Sequence, residues 1–261
     1  MTAMIPALNA NAQFRSELPP TPVPRLQVEL ADSPKDIEAV QRLRYQVFVE
    51  EMGARIETIE AGVERDHFDP FCEHLIVRDI EVNRIVGCYR ILTSTQVEKA
   101  GGYYSAGEFD LTRILSLPGR LMEVGRTCVH PDYRTGATIA LLWQGLARYM
   151  VKNRFDYLMG CASIPLGHGT GAAQALYDHL KDNYLAPEQW RVVPKVRLPQ
   201  VNLVGDQEGG AIPPLLKAYL RVGARICGEP AWDPQFNVAD LFILLRADQM
   251  KTRYVRHFVN R

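Results

Sequence analysis

The sequence predicts an α/β fold: a mixed, mostly antiparallel sheet flanked by helices on both faces. Three observations predict it. Short strand-like runs recur from Leu26 to Leu245. Segments with apolar residues at helical spacing stand between them. The order is strand–helix–strand–strand, then strand–helix–strand–helix, then a strand pair, which suits one layered domain.

Each element has a local reason. Residues 1–24 carry Pro19, Pro20, Pro22 and Pro24 and read as a flexible tail, leaving 25–261 as a single domain. Leu26–Leu30 alternates apolar and polar residues, as a half-buried strand does. Asp32 or Ser33 can cap a helix with Pro34 in its first turn and Ile37, Val40, Leu43, Val47 and Phe48 along one side. An acidic irregular loop runs on to about Phe71. His74–Asp79 and Ile85–Leu92, broken at Asn83, predict a hairpin. Short helices and turns fill 95–120. Leu121–Val129 is a strand, His130–Gly136 a turn, and a long helix extends to about Lys152. Tyr157–Ile164 is strand, Ala172–Lys181 helix, and 185–212 has no clear pattern. Pro213–Val222 reads as helix, with Arg225–Cys227 and Leu241–Leu245 as strands.

Composition removes several classes. The chain has 261 residues, 47% hydrophobic and 23% charged, which is globular rather than disordered or fibrous. Thirty basic and thirty acidic residues balance, which speaks against a nucleic-acid partner. No apolar stretch reaches the roughly 18 residues of a membrane span, and the N-terminus lacks the pattern of a signal peptide. Five cysteines without a CxxC pair fit reduced thiols in a cytoplasmic protein. The histidines show no metal-ligand spacing, so no metal is expected.

Charge is segregated along the chain. Glu50–Glu73 holds eight acids against two bases, and Thr112–Arg154 holds seven bases against two acids. One segment could meet a cation and the other an anion.

Three clusters could carry chemistry. The turn between strand and helix at Val129–Ala137 presents helix-mouth N–H groups, with Arg134 beside them, to a phosphate. In Glu123-Val124-Gly125-Arg126, a regular strand would put Glu123 and Gly125 on one face and Val124 and Arg126 on the other. Burial of Glu123 would raise its pKa and suit it as a base; equally, it could form a structural pair with an arginine such as Arg90. Asp66 and Asp69 in the acidic loop could hold an ammonium group. Cys161 with His130 is a weaker candidate nucleophilic pair.

Taken together, the blocks Arg44–Gly53, Asp66-His67-Phe68-Asp69, Cys72–Val77, Val86–Leu92, Tyr103–Ser105, Glu108–Leu111, Glu123–Val129, Leu141–Trp143, Ala218–Ala224 and Gly228–Asp233 resemble the L-ornithine N-alpha-acyltransferases of bacterial ornithine-lipid synthesis. The resemblance runs from about Arg42 to Leu245. It implies a GNAT-like fold related to acyl-homoserine lactone synthases and N-acyl amino acid synthases. It implies transfer of a (3-hydroxy)fatty acyl group from the phosphopantetheine arm of an acyl carrier protein to the α-amine of L-ornithine, giving a lyso-ornithine lipid, with no cofactor bound. It assigns Glu123 as base and Tyr177 as a candidate general acid. It assigns Arg44, Phe48, Asp66, Asp69, Arg90 and Arg126 to the substrate, and Val129, Arg134, Gly136 and Ala137 to the phosphopantetheine. On that reading the basic segment meets the carrier protein, the acidic loop meets the amino acid, and Arg90 and Arg126 bind its carboxylate or orient Glu123. Backbone N–H groups near Cys128–Val129 would serve the oxyanion.

Two departures bear on the details. No Trp stands between Phe48 and Asp66, which counts against a lactone synthase. Arg134-Thr135-Gly136-Ala137 is shorter than the usual coenzyme-A signature, which counts against coenzyme A itself as donor. Glycine or tyrosine as acceptor, or an acyl-thioester-binding protein without catalysis, are the alternatives. The lipid product and the basic residues of Arg246–Arg261 suggest peripheral contact with the inner membrane face.

Overall fold

The computed structural model describes residues 24–57, 60–199 and 211–250. All but the last residue of the expected tail at 1–24, and most of the basic C-terminal segment, lie outside the described residues. In chain order the elements are β1 (Leu26–Leu30), α1 (Pro34–Arg44), β2 (Glu73–Asp79), β3 (Arg84–Thr93), β4 (Phe109–Asp110), α2 (Thr112–Leu115), β5 (Leu121–Val129), α3 (Gly136–Lys152), β6 (Tyr157–Pro165), α4 (Gly169–Tyr184), β7 (Val193–Pro194), α5 (Pro214–Val222), β8 (Arg225–Ile226), β9 (Ala231–Asp233) and β10 (Val238–Arg246).

The main sheet runs β1-β2-β3-β5-β6-β10-β8, with β9 also on β10. Its pairs are antiparallel except β5–β6, which is parallel. The expected mixed, mostly antiparallel sheet is therefore present. Helices cover both faces, as side-chain alternation along β2 shows. Leu75 and Val77 pack in the core that includes α3, α4 and α5. Ile76, between them, packs with Val40 and Leu43 of α1 on the other face. The segment 94–120 covers the second face further along, where Leu92, Leu121, Met159 and Phe242 meet Tyr103, Phe109 and Ile114.

Local signals explain several boundaries. Ser33 caps α1 by accepting from the Asp36 N–H, and Pro34 opens the helix. Beyond Arg44 the helix loosens into a π-helical stretch, Tyr45–Glu51, a feature often found at functional sites. Thr135 caps α3, which begins at Gly136. Strand β10 is longer than the apolar run Leu241–Leu245 suggested, because Val238, Ala239 and Asp240 pair with both β6 and β9.

Candidate active site

The site originates where the one parallel pair comes apart. Strands β5 and β6 pair only from Leu121↔Tyr157 to Glu123↔Met159. Glu123 and Val124 point to opposite faces of β5, yet both line one cavity of about 590 Å³. The cavity therefore passes through the sheet at the gap. On the α3–α5 side its wall is apolar: Val124, Leu142, Trp143 and Leu215. On the other side it is polar: Arg90, Ser105, Glu123 and Arg126.

Glu123 is 4% exposed. Its carboxylate accepts from the backbone N–H of Tyr104 (2.7 Å), and from the backbone N–H (2.8 Å) and hydroxyl of Ser105. Burial raises its pKa, and the Ser105 and Tyr104 hydrogen bonds offset that only in part. Arg90 does not pair with it, contrary to the structural-pair expectation; Arg90 donates to Asp66 (2.6 Å) and Asp69 (3.0 Å).

Arg126 departs from the regular-strand expectation. The β3–β5 register slips between Cys88↔Cys128 and Arg90↔Gly125, and Arg126 sits at φ 49°. This bulge turns Arg126 onto the Glu123 face. Its guanidinium lies 4.7 Å from the ring centre of Tyr104, whose N–H Glu123 accepts, and 4.8 Å from that of Phe236.

The acidic loop also departs from expectation. Asp66 and Asp69 do not stand open to an ammonium, because the chain's own arginines occupy them. Arg44, fully buried, bonds to Asp69 (2.9 Å) and to Glu64. Arg126 bonds to Glu64 (3.0 Å) and Asp66 (3.1 Å). Burial opposes the charge on Asp69, but Arg44 and Arg90 outweigh it and hold the carboxyl well below the usual range. Glu51 likewise takes both Nη groups of Arg134, each at 2.6 Å. Two bases of the basic segment, Arg126 and Arg134, thus pair with the acidic segment, and Arg44 and Arg90 from elsewhere in the chain meet the rest of its inner acids.

The remaining expected residues divide. Phe48, Val129 and Arg134 line the cavity, while Gly136 and Ala137 are exposed in the first turn of α3 and outside its lining. Arg44, Asp66 and Asp69 stand behind Arg90 and Arg126 and do not line it. Tyr177 requires correction as a general acid. It packs in the core on α4, away from the cavity, because the apolar side of that helix buries its ring. The Cys161–His130 pair does not form: Cys161 Sγ contacts Ser105 and Glu108, and His130 contacts Gln46 and Arg84. Burial and the nearby Glu108 also push the Cys161 thiol far up, which keeps it uncharged.

Sequence reasoning missed Glu108, Asp233 and Asp240. Their carboxylate oxygens lie within 4.8 Å of one another, a donor set that could hold a hard cation. Asp233 and Asp240 line the cavity together with Ser163 and Cys161. A lone acid in the apolar run Val238–Leu245 was the available signal for Asp240.

Comparison with known proteins gives the family. Residues 43–144 match the acetyltransferase (GNAT) domain model. Among solved structures, a CoA-dependent acyl-homoserine lactone synthase, BjaI, superposes with a TM-score of 0.56 at 15% identity, over 91% of this chain and 89% of that one. FeeM, an N-acyl amino acid synthase from uncultured soil microbes, gives 0.52 at 13%, over 90% and 98%. These two likenesses establish a shared fold. An L-ornithine N(alpha)-acyltransferase of Brucella abortus is 41% identical over 89% of this chain and 88% of its own. That of Agrobacterium fabrum is 37% identical over 89% and 85%. Identity of this extent over most of the chain makes the protein a member of the L-ornithine N(alpha)-acyltransferase family.

Proposed function

We propose that the protein transfers a (3-hydroxy)fatty acyl group from the phosphopantetheine thioester of an acyl carrier protein to the α-amine of L-ornithine, giving a lyso-ornithine lipid. One observation supports the chemistry above all: a single cavity joins a buried carboxylate, Glu123, to an apolar chamber across the sheet. The family relationship supplies ornithine as acceptor.

The acyl chain occupies the apolar side, against Trp143 and Leu215. Its thioester lies in the gap between β5 and β6. Glu123 takes a proton from the α-ammonium, directly or through a water. The free amine attacks the thioester carbonyl, the C–N bond forms, the C–S bond breaks, and the proton that the nitrogen sheds on becoming an amide ends on the leaving thiolate. N–H groups of β5 near Cys128–Val129, at the cavity wall, serve the oxyanion. Arg90 and Arg126 hold the acceptor carboxylate, kept in position by Asp66, Asp69 and Glu64. An amphiphilic product fits release at the inner membrane face. No helix among the described residues is long and apolar enough to cross a membrane.

Thiol release from a 3-hydroxyacyl carrier protein, with a panel of amino acids, tests the reading. Ornithine-dependent release that falls about a hundredfold or more in Glu123→Gln is expected. Release with glycine or tyrosine instead changes the acceptor. Tight carrier-protein binding without release for any amino acid overturns catalysis.

A further inference from the structure

On the reading that ornithine is the acceptor, we propose that Glu108, Asp233 and Asp240 form the pocket for its side-chain ammonium and thereby select a diamino acid.

The argument starts from an imbalance of charge. Glu64, Asp66 and Asp69 are met by Arg44, Arg90 and Arg126. Among the described residues, no ion pair of Glu108, Asp233 or Asp240 is formed, although Asp233 and Asp240 are only 9% and 3% exposed. Three acids packed together without a cation cost stability, because they must either repel one another or hold a proton. Their hydrogen bonds are few. Asp240 accepts from Ser163 (2.6 Å), Asp233 from the N–H groups of Gln235 and Phe236, and Glu108 from Cys161. Glu108 Oε1 is shut off from solvent and has no hydrogen-bond partner in good geometry, although Asp240 and Tyr104 are close enough to lower the charge cost of the cluster. A buried acceptor of that kind is rare unless a ligand completes it.

The location supplies the second half of the argument. Asp233 and Asp240 line the same cavity as Glu123. Ser105, which donates to Glu123, lies 3.4 Å from Cys161 Sγ, and Cys161 lies 3.4 Å from Glu108. The cluster is therefore two side chains from the base. An acceptor whose α-amine meets Glu123 extends its side chain toward these acids. An ammonium offers three donors to three carboxylates. Without it, burial and the mutual repulsion of the acids raise Glu108 to about 9, and burial leads the rise of Asp240 to about 6. At about pH 7.5 Asp240 is already charged and Glu108 holds a proton, so a cation that returns Glu108 toward its charged form expels that proton as ornithine binds.

Norleucine, which has a methyl group in place of the ornithine ammonium, is the probe. Wild-type enzyme is expected to prefer ornithine to norleucine by at least about tenfold in kcat/KM. Asp240→Asn, Asp233→Asn and Glu108→Gln are each expected to raise KM for ornithine with little change in kcat, and to shrink that preference. Melting temperatures of these variants should hold or rise, because repulsion is relieved. Calorimetry in two buffers of different ionisation heat should show proton release with ornithine and none with norleucine. Equal use of the two amino acids by the wild type overturns the proposal, as does an equal loss for both in the variants. A requirement for added Mg²⁺ or Ca²⁺ that these variants abolish would mark a metal site and overturn it too. If no acceptor gives thiol release, the catalytic reading fails by itself. Ornithine binding weakened in Asp240→Asn but not in Glu123→Gln would then still support the pocket, and equal binding to both and to wild type would overturn it.

Discussion

His74 shows how one buried side chain sets an acid limit on stability. It is 1% exposed, and neither ring nitrogen has a hydrogen-bond partner. Burial lowers its pKa from 6.5 to about 4; Asp69 opposes the shift, and Arg44 and Arg90 add to it. Between pH 6.5 and 4 the unfolded chain takes up a proton at this position and the folded chain does not. Stability therefore falls as pH falls through that window, by up to about 3 kcal/mol at its lower end. Urea unfolding from pH 7 to pH 4 should show this slope, and His74→Leu should flatten it. Below that window Asp66 and Asp69 take over, since their depressed pKa values give stability that acid removes.

At the scale of elements, the gap between β5 and β6 depends on how closely the two strands approach just before they part. Gly160 makes that approach: a Cβ there would stand 2.2 Å from the carbonyl oxygen of Val124. No side chain can rotate to relieve such a contact, so the strands themselves would have to move. Gly160→Ala is expected to cost about 1–3 kcal/mol, in line with other overpacked cores, and to lower kcat/KM as Glu123 shifts against the cavity. Thermal unfolding beside thiol-release kinetics checks both. Unchanged values would mean that the approach of the strands does not set the site. The bulge at Arg126 belongs to the same scale. One left-handed residue turns a side chain that regular pleating would bury against α3 into the wall beside Glu123.

Across the whole molecule, the two faces of the sheet divide the labour. The acid–arginine lattice and Glu123 occupy one face, and the apolar core with α3, α4 and α5 occupies the other. A cavity through the sheet joins them, so on the proposed function chain length and chemistry fall to different residues. Leu215, half-buried on α5 and lining the apolar side, is a position where bulk can be added without opening the core. Leu215→Trp is expected to shift preference to shorter acyl chains with ornithine KM unchanged. A donor series of graded length would read this, and an unaltered length profile would place the acyl chain elsewhere.

By itself the sequence determined what repeats locally. Apolar periodicity, the Ser33 cap with Pro34, and the Asn83 break located most strands and helices of the α/β fold, because these depend on neighbours within a few residues. The blocks around Arg44, Asp66, Glu123 and Arg126 carried the family resemblance. Only the tertiary structure decided how charges pair. Asp66 and Asp69 meet arginines from α1, β3 and β5, whereas Glu108, Asp233 and Asp240, far apart in the chain, meet one another. It also decided that Tyr177 packs in the core and that Arg126 shares a face with Glu123. The physical reason is the same in each case. A carboxylate's role depends on which cation folding brings within a few ångströms and on how much water it excludes, and neither is written in the spacing of residues along the chain.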